Sequence, residues 1–104
     1  MARMIAIYKP PKDKEAFLKH YYQIHVPMAK KLPGLRKYDV SKSPVISTSG
    51  DSETWLIGTL HFDSLDAIKA AFATSEGQAC AADRKLLAPD DDQIQIYLFD
   101  TEEV

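Results

Sequence analysis

Long apolar runs are missing from this sequence: no stretch of about 18 uncharged residues occurs, so a membrane-spanning helix is not expected. No charged-then-apolar leader opens the chain, and the single cysteine, Cys80, cannot form an internal disulfide; a reducing, cytoplasmic setting is the expectation. Glycine is also sparse. The four glycines stand isolated at 34, 50, 58 and 77, which excludes a phosphate-cradling loop or a dinucleotide fingerprint, and no Cys/His spacing suits zinc. Neither a metal nor a nucleotide cofactor is expected. Nor is there a dense basic stripe. Thirteen Lys and Arg face fifteen Asp and Glu, which leaves no electrostatic footprint for nucleic acid.

What is present suits one domain over residues 1–104. Hydrophobic residues at 45% and charged residues at 27% are enough for a single core and argue against disorder. Residues 2–8 are extended in character and stop at Pro10-Pro11, where missing amide protons end a ladder. From Asp13 the spacing turns helical, with Phe17, Tyr21, Ile24, His25, Met28 and Leu32 near one stripe. Pro27 predicts a kink or restart, and the helix should end before Pro33-Gly34. Residues 35–42 predict a second strand with Arg36, Tyr38 and Val40 on one face; residues 43–53 read as a loop. In 54–62, Trp55, Ile57, Thr59 and His61 share one side, and both faces look largely buried.

Ser64 caps a helix that breaks near Thr74, where Ser75 offers a second cap before a segment ending ahead of Pro89. A turn over 89–92 then leads to a last strand, 93–100. The order β-α-β-β-α-β predicts an α+β, ferredoxin-like fold: a four-stranded antiparallel sheet with two helices on one face. The other face carries apolar side chains and calls for a homodimer through the open sheet face.

His25 faces inward by periodicity, where an imidazole near neutral pH can take or give a proton. Alternatively, it satisfies a carbonyl freed by Pro27. Tyr38 on the second strand can steady a negative oxygen, or simply fill the core. Phe17, Tyr21 and Met28 on the helix stripe, with Trp55 and His61 on the third strand, are the expected lining of a small-molecule pocket. His20 lies on another azimuth of an α-helix and reads as a solvated surface residue. Asp90 to Asp92 read as a solvated turn, and Cys80 as small-residue packing.

The stretch YKPPKDKEAFLKHYYQIHVPMAKKLPGLRKYDV, with its helix ending in His-x-Pro followed by Pro-Gly-Leu and a strand bearing an aromatic residue, resembles the EthD family. FATSEGQACAADRKLL resembles that family's second-helix region. The resemblance implies a dimeric α+β barrel, the superfamily that also holds muconolactone-type isomerases, polyketide cyclases and cofactor-free monooxygenases. Around the helix end the sequence is most similar to methylmuconolactone methylisomerases, which pair a helix-one His with an aromatic strand entry, here His25 and Tyr38. The expected function is therefore acid/base isomerisation or rearrangement of a lactone, enone or similar small organic ring in catabolism. A non-catalytic accessory binder and a cofactor-free monooxygenase are the alternatives.

Overall fold

The computed structural model describes residues 1–50 and 53–104; the part of the expected loop at residues 51 and 52 lies outside the described residues. Strand β1 (Ala2–Tyr8) ends at the prolines as expected, and its alternation sends Ala2, Met4, Ala6 and Tyr8 to one face. It lies between β3 (Leu56–Phe62) and β4 (Ile94–Asp100), antiparallel to both, while β2 (Lys37–Val40) pairs antiparallel with the outer edge of β3. The sheet order is β2-β3-β1-β4. With its helices between β1 and β2 and between β3 and β4, the chain has the ferredoxin-like α+β architecture.

The first helical layer starts at α1 (Lys14–His20), capped by Asp13, whose carboxylate accepts the amide of Ala16 at 3.0 Å. It continues through a π-helical turn (Tyr21–His25) into the short α2 (Val26–Ala29). The second layer is α3 (Leu65–Ala73), capped by Ser64, and α4 (Ser75–Leu87). Here the structure corrects one expectation. The cap of α4 is Thr74, not Ser75: Thr74 holds the extended backbone at the break, its hydroxyl accepts the amide of Gly77 at 3.1 Å, and Ser75 is already the first helical residue.

Three strand boundaries also shift. β2 is shorter than 35–42 because Leu35 turns to pack on the core, although ladder bonds continue from Arg36 to the His61 carbonyl (2.8 Å) and from Ser41 to the Ile57 carbonyl (2.9 Å). β3 begins at Leu56, and Trp55 does not share a face with His61: its ring meets Phe17 edge-on at 5.2 Å, on the helix side. β4 begins at Ile94 because Gln93 is drawn into the preceding 3-10 turn (Asp91–Gln93), where it and Asp90 cap each other.

Register carries Leu56, Gly58, Leu60 and Phe62 to the helix side along with Tyr38, and only that face of β3 is fully buried; Ile57, Thr59 and His61 are half-buried. The core there divides in two. One cluster gathers Leu32, Leu60, Phe62 and Ile68, the other Tyr8, Phe17, Tyr21 and Leu56. No helix in the described chain is long and apolar enough to cross a membrane.

Candidate functional site

Pro27 has no amide proton, so a regular α-helix through it would leave the carbonyl four residues back without its donor. The chain answers with a wider turn: the Val26 amide bonds the Tyr21 carbonyl, five residues back, and Pro27 falls in the first turn of α2, where no donor is required. This extra residue re-aims the side chains. In a regular α-helix His20 and His25 would stand about 140° apart, whereas a turn closed over five residues brings them onto the same side of the helix. The expected solvated His20 is thereby corrected. Both imidazoles reach one carboxylate on the neighbouring helix, Asp83.

Asp83 is only 6% exposed, yet it is fully engaged: Oδ2 lies 2.9 Å from His25 Nδ1 and Oδ1 lies 2.8 Å from His20 Nε2. A carboxylate only accepts, so both facing ring nitrogens carry protons and donate them. That fixes the tautomer of a neutral His25: Nδ1 is protonated and Nε2 is left as a bare lone pair. Burial holds the His25 pKa below its ordinary 6.5, against the opposing hydrogen bond and charge of Asp83; the charges of His20 and Arg84 add to the lowering. Near neutral pH, His25 is therefore a free base.

The His25 ring is stacked on Tyr21 at 5.6 Å, and Tyr21 on Phe17 at 5.8 Å, so the helix carries a column of three rings spaced four residues apart. Tyr21 is buried, and its hydroxyl lies 2.6 Å from that of Tyr38 on β2. Gly58 makes this pairing possible. A Cβ at that position would stand 2.8 Å from the Tyr21 hydroxyl oxygen, too close for any real contact. Burial pushes the pKa of both phenols well above the usual range, so both remain protonated donors.

At the seam of the two core clusters lies a cavity of about 130 Å³, with His25 and Tyr38 in its wall among mostly apolar neighbours including Met4, Leu60 and Phe72. Ile96 of β4 also lines it while remaining 37% exposed, which places its mouth toward that strand. Larger hollows beside Lys9 and Glu53 are shallow and bounded by exposed charges that pair with each other at 3.4 Å; they offer no comparable chemistry.

Of the residues expected at a site, the structure brings His25 and Tyr38 together, with Tyr21 immediately behind. Phe17 supports the ring column from outside the cavity, and Trp55 packs on Phe17 rather than on the pocket. Met28 lines a separate surface hollow with Lys31 and Ser75. His61 points to the opposite face of the sheet, bonded to Asp39 at 2.7 Å. The alternation of β3 places His61 there because it is odd-numbered, while the cavity side takes even-numbered residues. Sequence reasoning missed Asp83, Arg84, Tyr8 and the role of His20. One signal was available: Asp83 shares the apolar stripe of Cys80 and Leu87, where a carboxylate is out of place unless it is paired. Cys80 is buried in that stripe, and desolvation pushes its thiol up to about 11, as befits a packing residue.

The chain is similar to several known proteins. A solved EthD-family protein from Bacillus halodurans is 31% identical, with a TM-score of 0.86 over 98% of this chain and 99% of that one. An uncharacterized 11.0 kDa protein of Rhodococcus erythropolis, from a thcB-thcC intergenic region, is 32% identical over 83 residues, covering 80% of each. A cofactor-independent oxygenase from Streptomyces nogalater, SnoaB, shares the fold with a TM-score of 0.68 at 13% identity, over 99% of this chain and 94% of that one. The EthD domain matches residues 9–89, which hold the His-x-Pro turn, Tyr38 and the Asp83 helix, and the chain belongs to the EthD family.

Proposed function

We propose that this protein is a cytoplasmic enzyme that isomerises or rearranges a lactone, enone or similar small organic ring by moving a proton at His25. The observation carrying this reading is the buried His25–Asp83 pair at 2.9 Å: with Nδ1 turned to the carboxylate, the bare Nε2 is the nitrogen left to serve a ligand of the apolar cavity that His25 lines. Asp83 acts as a positioning residue, holding the ring's tautomer and stabilising the imidazolium once a proton is taken. Tyr38 is the donor to the developing oxyanion. Because Tyr21 is enclosed behind it, Tyr21 donates to Tyr38 and leaves the Tyr38 proton for the ligand.

A test uses five- and six-membered lactones and enones in D2O, following deuterium incorporation beside the carbonyl by NMR. His25→Ala should slow exchange by ~100-fold or more, the usual contribution of a proton-transfer group, while retaining the fold. An unchanged rate in that variant defeats the assignment. The same base could instead deprotonate a substrate that then reacts directly with dioxygen, a reading favoured by the fold shared with a cofactor-independent oxygenase; oxygen uptake with quinols separates it from isomerisation. Binding of these rings without exchange or oxygen uptake would indicate an accessory binder.

The working unit in this reading is a homodimer of single-domain chains. Ile5, Ile7, Ile57 and Phe99 lie on the sheet face that no helix covers, and Tyr97 beside them is 51% exposed. Sedimentation at micromolar concentration should give twice the mass of one chain, with a melting temperature that rises with concentration. A stable monomer would refute this assembly.

A further inference from the structure

Two side chains in the cavity wall have no part in the proton transfer described above. Tyr8 is 2% exposed, and its hydroxyl makes no hydrogen bond to any described residue. No fully enclosed side-chain oxygen or nitrogen in the described chain lacks a partner, so this hydroxyl is open to the cavity. Arg84, half-buried on α4, lines the same cavity and forms no ion pair among the described residues. The carboxylate beside it in sequence, Asp83, is already taken by His20 and His25. Contrast Arg36, which meets Asp63 through two nitrogens at 2.7 and 3.1 Å on the surface.

A guanidinium partly withdrawn from water into an apolar hollow is unfavourable unless an anion meets it there. Its planar fork matches the two oxygens of a carboxylate, and a phenol that stays protonated supplies one more donor. Burial raises the Tyr8 pKa, so it is such a donor at neutral pH. Tyr8, His25 and Arg84 all line this one space. The space itself is small: about 130 Å³, where a cavity of ~150 Å³ is known to take one benzene ring.

We propose that the ligand of this cavity is a single-ring carboxylic acid, its carboxylate held by Arg84 and the Tyr8 hydroxyl while His25 faces the ring. Catalysis and recognition are thereby divided: His25 and Tyr38 act on the ring, and Arg84 and Tyr8 fix the anionic end. This rests on the cavity being the small-molecule site. It also restricts that reading, since neutral lactones and enones become poor substrates beside those bearing a carboxylate.

The test compares benzoate with benzamide, its neutral counterpart of nearly the same shape, on the full chain, with binding read from the His25 ring resonances so that surface association does not count. Benzoate should bind at least ~10-fold more tightly, because an ionised acceptor roughly doubles the strength of each hydrogen bond. Arg84→Gln should abolish that preference, and Tyr8→Phe, which keeps the ring, should weaken benzoate by roughly 3- to 10-fold with benzamide little changed. Equal affinity for the two probes in the unaltered protein overturns the carboxylate inference and leaves the cavity as a neutral-ligand site. If neither probe moves the His25 resonances at about 20 mM, far weaker than ordinary ligand affinities, the cavity reading falls and the inference falls with it.

Discussion

The two helical layers are each interrupted once, and they are interrupted in opposite ways. At Pro27 the first layer keeps its hydrogen-bonded path and takes up an extra residue in a π turn, which rotates side chains relative to one another. At Thr74 the second layer stops outright: the backbone extends, a threonine caps the restart, and α4 packs back against the end of α3. The first interruption aligns side chains, with His20 and His25 reaching Asp83 of α4 and Tyr21 reaching Tyr38 of the sheet. The second brings two backbones close enough to place Asp83 opposite them. A helix break can thus re-aim side chains or reposition a segment, and this site uses one of each.

The sharpest way to break the comparison is at Gly77, in the first turn of α4. A Cβ there would run into the Ala71 carbonyl and the Phe72 backbone, rigid atoms that cannot swing aside. Gly77→Ala should therefore destabilise by about 3 kcal/mol, the upper end for overpacking, despite the ~1 kcal/mol that alanine ordinarily gains over glycine in a helix. Chemical denaturation measures this directly. A variant as stable as the parent would show that the close approach at the α3–α4 break is not required. Because the clash is with fixed backbone, the loss should also move α4 and weaken the Asp83 contacts.

The sequence revealed most of the frame, because β1, the onset of helical spacing at Asp13, the cap at Ser64, the prolines and the alternation of β4 are local signals. Helical stripe, strand parity and the family resemblance also singled out His25 and Tyr38, which the structure places in the wall of one cavity. The sequence did not reveal the π turn. Pro27 announces an interruption, but whether the chain kinks, restarts or inserts a residue depends on what the far helix offers the displaced side chains. His20 departs from the expectation for that reason: α-helical spacing puts it on another azimuth, and the π turn does not keep that spacing. Trp55 leaves the face of His61 because the period of β3 stops at Leu56, one residue after it, and packing on Phe17 takes over. Arg84 and Tyr8 carry no pattern of their own. The role proposed for them rests on polar ends that have no hydrogen bond or ion pair among the described residues, a property that only three-dimensional neighbours define.

Asp83 is the point where the two interruptions meet, and Asp83→Asn sharpens the comparison without disturbing either backbone. An amide presents one acceptor where the carboxylate presented two, so one imidazole loses its partner and a loss of about 2 kcal/mol is expected, within the usual range for a broken buried hydrogen bond. The pH dependence is more diagnostic. In the parent protein the folded His25 pKa lies below 6.5, so the unfolded chain binds more protons on acidification; this stability is present above about pH 6.5 and declines as the pH falls toward the folded value. Both of the influences of Asp83 on His25 raise that pKa, while burial, His20 and Arg84 lower it. Removing the carboxylate leaves only the lowering influences. The pKa should drop further, and the variant should lose more melting temperature than the parent between about pH 7.5 and pH 5, because the window in which only the unfolded state is protonated has widened. A parallel decline in the two proteins would mean that Asp83 does not govern the His25 ring, and that the π turn holds the imidazole in place without help from the second layer.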